Sequence, residues 1–266
     1  MLKFFSLSSG SCGNCYYLGS EERGIIIDAG VSLRRLSRFF KDNGISPDAI
    51  EGILITHAHL DHIKFLGTFC KKLHKPVYTT ETIGNALSRH PFTAGIIGAY
   101  RKTLEEGVET DLSGIGVRCF EVPHDAVQTV GYAIDFDGHK FMIATDIGQI
   151  TDDLLKYASQ AQTLVLESNY DKEMLMSGSY TYELKMRIIQ GSGHLSNTEC
   201  AEALKRVFHP ELRNIFLCHL SENNNTPELA YRASSEALAG IGVEKGTVHL
   251  RCLPRSYPSP VFFLQA

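Results

Sequence analysis

A mixed α/β domain is the fold class that this sequence predicts, and three observations predict it. Short apolar runs of strand length, many of them rich in Ile and Val, recur along the chain. Between them lie longer amphipathic stretches, several opened by Ser or Thr in capping positions. Several of the apolar runs also stop on a single Asp, Glu or His, so that strands end in residues able to do chemistry.

Taken in order, the first fifth of the chain reads as strands over 3–7, 15–18 and 24–28. A helix opened by Ser32 follows, with Leu33, Leu36, Phe39 and Phe40 as its apolar stripe and Asn43-Gly44 as its stop. A buried strand over 52–55 leads into a polar cluster, then a helix over 63–73 and a short strand over 76–78. Strands over 115–122, 129–136 and 140–145 come next, the last two joined by the hairpin signal Asp137-Gly138. Thr151-Asp152-Asp153 caps a helix that precedes a strand over 163–166, and Ser196 with Glu199 forms a capping box for a helix to about 208. A strand ends at His219, Thr226-Pro227-Glu228 opens a further helix, and strands over 248–253 and 261–264 close the chain.

At 266 residues, with 43% hydrophobic and 21% charged residues, the chain can build a sizeable core. No linker, repeat or low-complexity tract divides it, so one domain over 1–266 is expected. The amino terminus lacks a basic stretch followed by an apolar segment, and no apolar run approaches bilayer length. A soluble, cytoplasmic protein without a membrane partner is the expectation. Seven cysteines fit reduced thiols; Cys12 and Cys15 lack the second pair of a zinc knuckle and read as core or turn residues. The net charge of −4 gives no global attraction to polyanions, so nucleic-acid contacts would need a local patch. Arg34, Arg35, Arg38 and Lys41 on the Ser32 helix offer one, and Lys71, Lys72 and Lys75 another.

The densest chemistry lies at Thr56-His57-Ala58-His59-Leu60-Asp61-His62, directly after the 52–55 strand. Imidazole and carboxylate are the ligand types that suit zinc and related divalent metals. In a tight turn His57 and His59 project to one side and leave Asp61 and His62 for an adjacent ion. This pattern resembles the signature of the metallo-β-lactamase-fold hydrolases, and residues matching the family's remaining ligands follow in order: His124, Asp146 and His219, each closing an apolar run.

The resemblance implies an αββα sandwich, two sheets flanked by helices with the metals held in loops along one sheet edge. It implies His57, His59 and His124 on one metal, Asp61, His62 and His219 on the other, and a bridging Asp146. Asp28 matches the family's early aspartate, whose carboxylate accepts an N–H from a metal-bound imidazole. Zinc suits the His-rich set, with manganese or iron as alternatives. His59 stands where flavodiiron oxygen reductases carry Glu, which argues against redox use. Glu167 and His194 fall in the interval where phosphodiesterases of this fold place an acid and a proton-donating His.

Further motifs resemble the bacterial YycJ/WalJ group: Ser8 to Cys15, Glu167-Ser168-Asn169-Tyr170-Asp171, Gly193 to Asn197, and Cys218 to Asn224. One departure is Phe65, where the group usually has Gly, which alters the helix beside the site. The group implies a two-metal DNA exonuclease working 5′ to 3′, with a hydroxide between the metals as nucleophile. Asp61, Glu167 and His194 would be its catalytic residues and DNA, rather than RNA, its partner. A hydrolase of a small phosphodiester or thiolester stays open, as does a non-catalytic metal-dependent regulatory protein. Oligomeric state is not readable.

Overall fold

In the computed structural model, which describes residues 1–264, β1 (Leu2–Gly10), β2 (Gly13–Gly19) and β3 (Gly24–Ile27) lead into α1 (Leu33–Asp42) and β4 (Ile50–Leu54). The short helix α2 (Leu60–Ile63), α3 (Leu66–Leu73), β5 (Val77–Thr79), α4 (Glu81–Arg89) and β6 (Arg101–Thr103) follow. The second half begins with β7 (Thr110–Asp111), β8 (Ile115–Val122), β9 (Thr129–Phe136) and β10 (His139–Ala144). It continues through α5 (Asp152–Ala158), β11 (Thr163–Glu167), α6 (Lys172–Ser177), α7 (Tyr182–Ile189), α8 (Asn197–Val207) and β12 (Asn214–Cys218). It closes with α9 (Pro227–Gly240), β13 (His249–Cys252) and β14 (Phe262–Leu264). The domain expected over 1–266 includes two residues, 265 and 266, that lie outside the described range.

Among the described residues these strands form two seven-stranded mixed sheets, in the orders β14-β1-β2-β3-β4-β5-β6 and β13-β12-β11-β10-β9-β8-β7. The period-2 alternation of side chains decides what each sheet faces. Phe4 packs against Phe141 and Phe216 of the opposite sheet, with ring centroids 5.1 and 5.0 Å away. Its neighbour Phe5 turns the other way, onto Phe39 of α1 at 4.6 Å. On the second sheet Phe141, Ile143, Val165 and Phe216 join the core shared with the first sheet. Met142, Ala144, Leu164, Leu166, Ile215 and Leu217 instead pack with Leu154, Leu204 and Leu238 of the helices outside it. The expected αββα sandwich is therefore the architecture observed. Among the described residues, no helix is long and apolar enough to cross a membrane.

Two features fix where the chemistry sits. Strands β3 to β6 run parallel, and so do β10 to β13, so several C-terminal strand ends open on a common edge. The turn after β3 then clamps the metal-motif segment against β2: Ala29 N donates to His62 O at 2.7 Å and Gly30 N to Asn14 O at 2.8 Å. A Cβ at Gly30 would lie 1.7 Å from the Asp61 carbonyl oxygen and 2.5 Å from Asn14 N, so only glycine allows this crossing.

The helix expected over 63–73 is two helices. Phe65 has left the helical region (φ −112°, ψ 6°), and its N–H donates to Ala29 O at 3.0 Å instead of continuing a helix. The non-glycine residue at 65 thus stands at the joint between α2 and α3, half-buried against the main core. Helices α4, α6 and α7 and strands β6 and β7 had no expectation in the sequence.

Candidate metal centre

Strand ends deliver the polar side chains, and three of them do so through the same backbone device. Asp28, Asp146 and His219 follow β3, β10 and β12, and all three have left-handed φ values of 61°, 56° and 53°. Such a conformation costs of order 1–3 kcal/mol at a non-glycine residue and persists only where the surroundings over-determine it. Here it turns each side chain abruptly off its strand into a shared pocket.

Asp28 is fully buried, and its partners are complete. Thr56 donates its N–H to Oδ1 at 2.9 Å and its hydroxyl to Oδ2 at 2.9 Å. His62 Nδ1 lies 2.7 Å from Oδ2. An ionised carboxylate only accepts, so Nδ1 of His62 carries the proton and Nε2 is the nitrogen turned toward the centre. That Nε2 is 3.4 Å from Asp61 Oδ2 and 3.2 Å from Asp146 Oδ2. Burial works against charge on His62, but Asp28, Asp61 and Asp146 override it and raise its pKa well above the usual imidazole value.

His57, His59 and His124 stand together on the other side, with ring centroids 4.6 Å apart for His57 and His59 and 5.2 Å for His59 and His124. Burial, reinforced by the neighbouring His62 charge, pushes the His57 pKa well down and keeps the ring neutral. Burial likewise lowers that of His124. Its Nδ1 donates to the Gly193 carbonyl at 2.9 Å, which leaves Nε2 to face Asp146 Oδ1 at 3.7 Å.

Asp146 lies between the two sets. One carboxylate oxygen approaches His62 and accepts the Thr145 hydroxyl at 2.8 Å. The other faces His124, and His219 Nδ1 at 3.5 Å. Burial opposes ionisation here, yet the charges on His219 and His62 hold its carboxyl well below the ordinary range.

Glu167 joins the same cluster. Its Oε1 accepts from both His194 Nδ1 and His219 Nδ1 at 2.9 Å, while Oε2 accepts the backbone N–H of Ile147 at 2.7 Å. Despite burial, the His194 charge and these hydrogen bonds lower its pKa to about 2. Burial is similarly overcome at His219, whose pKa rises to about 10 beside Asp146, Asp61 and Glu167.

Divalent ions fit this donor set on a direct observation. Nε2 of His57 and Nε2 of His219 are buried and have no hydrogen-bond partner, which is costly for a polar atom unless something else binds it. Donor atoms group within 4.8 Å of one another as His57/His59/His124, His57/His62/Asp146, Asp61/His62/His219 and Asp146/Glu167/His194/His219. The structure therefore brings together every site residue singled out in the sequence: Asp28, His57, His59, Asp61, His62, His124, Asp146, Glu167, His194 and His219.

Sequence reasoning gave no role to several neighbours. Asn14 Nδ2 donates to Asp61 Oδ2 at 3.2 Å, Asn169 Nδ2 to His219 O at 2.7 Å, and His219 N to Ser9 Oγ at 2.9 Å. Their only sequence signal was membership in the segments Ser8 to Cys15 and Glu167 to Asp171. The cleft over the centre has a volume of about 240 Å³; Ser11, Asp125 and the α7 residues Leu184, Arg187 and Ile188 line it with the polar cluster. The cysteines are all free, with Cys15 buried and Cys12 exposed on the β1–β2 turn.

Fold and site together define a metallo-β-lactamase-fold hydrolase dependent on divalent metal ions. The family model described as the β-lactamase superfamily domain matches residues 23–219. The chain is 37% identical over 245 residues to the exodeoxyribonuclease YycJ of Bacillus anthracis, covering 91% of this chain and 92% of that protein. It is 33% identical over 246 residues to the exodeoxyribonuclease WalJ of Streptococcus pneumoniae, covering 91% of each. Among solved structures, zinc-bound PqqB from Methylobacterium extorquens superposes with a TM-score of 0.70 at 17% identity, over 97% of this chain and 99% of that one, a likeness of fold alone. The chain belongs to the metallo-β-lactamase-fold hydrolases and, within them, to the YycJ/WalJ group.

Asp28→Asn keeps the shape of the side chain but presents an amide where His62 needs an acceptor. Divalent-ion affinity, measured by competition with a chromophoric chelator, is expected to fall about 10–100-fold with the fold retained. Unchanged affinity would show that Asp28 does not orient a ligand.

Proposed function

We propose that this chain is a metal-dependent DNA exonuclease, working 5′ to 3′ with two divalent ions, zinc before manganese or iron. The observation that carries the DNA reading is its similarity, over 91% of its length, to two proteins named exodeoxyribonucleases. His57, His59 and His124 would hold one ion, Asp61, His62 and His219 the other, and Asp146 both. Bound there, the ions would supply an ionised water at neutral pH and neutralise charge building on the phosphate oxygens. On this reading the protein would act on DNA in the cytoplasm, as its bacterial relatives' names suggest.

The protein's own groups have separable tasks. Asp28 and Thr56 fix His62 with Nε2 inward, and the Gly193 carbonyl does the same for His124. Asp61, held by Asn14, would serve as a ligand and orient the attacking water. His194 is the proton donor. Its Nδ1 is committed to Glu167, so Nε2 is the position from which a proton can leave. Burial disfavours the imidazolium, but the Glu167 charge and hydrogen bond raise its pKa, which keeps the acid form populated. His194 also lines the cleft, where a leaving sugar oxygen would emerge.

The cleft volume gives a second reading some weight. About 240 Å³ is less than the roughly 300–1,000 Å³ of pockets that enclose drug-sized ligands, so a compact phosphodiester or thiolester also suits it. Single- and double-stranded DNA and RNA, labelled at either end, separate the readings when incubated with each metal. Metal-dependent release of nucleotides from DNA 5′ ends is expected. Turnover of a small ester with intact oligonucleotides would reject the nuclease reading.

His194→Ala isolates the proton donor. A positioned general acid contributes about 10²–10⁴-fold, so DNA turnover should fall within that range while metal content stays at the wild-type level. The defect should shrink on a p-nitrophenyl phosphodiester, whose leaving group departs unprotonated. Loss of metal would make His194 a ligand, and an equal defect on both substrates would make it a phosphate-positioning group.

A further inference from the structure

The α7 segment has no buried residue, although it lies over the centre of the site. An eight-residue helix with so little burial gains little from packing, so the residues it turns toward the cleft are informative. Leu184, Arg187 and Ile188 recur at i, i+3 and i+4, which places them on one helix face, and all three line the cleft. Arg187 is the one cationic side chain among the cleft's lining residues other than histidine.

Its guanidinium does not project freely. Nε donates to Oδ2 of Asp125 at 2.6 Å and Nη2 donates to the same oxygen, a fork closed on a single anionic oxygen. Asp125 directly follows His124, so this ion pair ties α7 to the loop carrying a candidate ligand. The side chains are 69% and 46% exposed, and an ion pair so open to water contributes little to stability. A fork that fits a carboxylate also fits the two free oxygens of a phosphodiester, which carries the same single charge and, unlike the one Asp125 oxygen, can engage both guanidinium N–H groups separately.

We propose that Arg187 binds a backbone phosphate next to the scissile one, and that Asp125 holds the guanidinium in place until that phosphate displaces it. Leu184 and Ile188, on the same helix face, contact the sugar and base of the nucleotide whose phosphate Arg187 takes. The assignment rests on the nucleic-acid reading above. It adds a subsite outside the metal cluster and gives the two members of one ion pair opposite effects on substrate.

The test is binding of a 3′-labelled, phosphorothioate-linked single-stranded oligodeoxynucleotide to the metal-loaded protein across a range of salt concentrations, on a timescale short of cleavage. Arg187→Ala should weaken binding about ten-fold or more and reduce the slope of log affinity against log salt by about one. Asp125→Ala should tighten binding, because the guanidinium is released to the phosphate. In the double variant that gain should vanish, since it acts only through Arg187. Arg187→Lys should rescue only part of the loss, because it restores charge but not the fork.

If both single variants weaken binding alike, the ion pair is structural and the assignment fails. If the two changes add and Lys rescues fully, the effect is long-range charge and the assignment fails too. Wild-type protein that neither binds nor cleaves DNA overturns the nucleic-acid reading together with this one. Wild-type protein that does both, with Arg187→Ala unchanged, overturns this one alone.

Discussion

Negative charge concentrated at one sheet edge is the constraint around which this structure is arranged. Asp28, Asp146 and Glu167 are buried and Asp61 stands beside them, with His57, His62, His124, His194 and His219 packed among them. Isolated ions in such a setting cost several kcal/mol each unless paired. The imidazoles divide accordingly. His62, His194 and His219 touch carboxylates and are driven toward the charged form, whereas His57 and His124 are driven toward neutrality by burial. Charge on His62 and His219 stands where divalent cations would supply the same compensation, His194 keeps its proton as a donor, and the neutral rings already have the protonation state that metal binding requires.

Holding that cluster has a conformational cost. The left-handed residues Asp28, Asp146 and His219 would each relax if the chain could continue along its strand direction. Hydrogen bonds from Thr56 to Asp28, from Thr145 to Asp146 and from His219 N to Ser9 oppose that relaxation. Beneath them, the aromatic contacts of Phe4 with Phe141 and Phe216 keep the two sheets, and hence the two halves of the site, in register. Gly30 lets the β3 turn cross the Asp61 backbone. Fold and site are coupled through these few positions rather than through the whole core.

Much of this was legible in the sequence because apolar runs and their terminal residues carry it. The runs ending at Asp28, Asp146 and His219 marked both the strands and the chemistry, and the hairpin at Asp137-Gly138 and the caps at Ser32, Thr151 and Ser196 formed as their residues predict. What stayed hidden lacks a local pattern. Helix α7 has no fully buried residue, and its apolar positions Tyr182, Leu184, Met186 and Ile188 alternate as in a strand, so no helical stripe announces it, and Arg187 gains meaning only when folding sets it across from Asp125. The break at Phe65 follows from a hydrogen bond to Ala29, far away in sequence, which periodicity between 63 and 73 does not contain. The dual role of Glu167 was also out of reach, since its contact with His219 spans 52 positions.

On the proposed reading these side chains hold two ions bridged by Asp146. Anomalous diffraction from crystals grown with zinc, or with manganese, tests it directly. Two peaks are expected, one about 2.0–2.2 Å from donor atoms of His57, His59 and His124 and one equally close to those of Asp61, His62 and His219, both in reach of Asp146. A single peak, or peaks lying outside this cluster, would contradict the account.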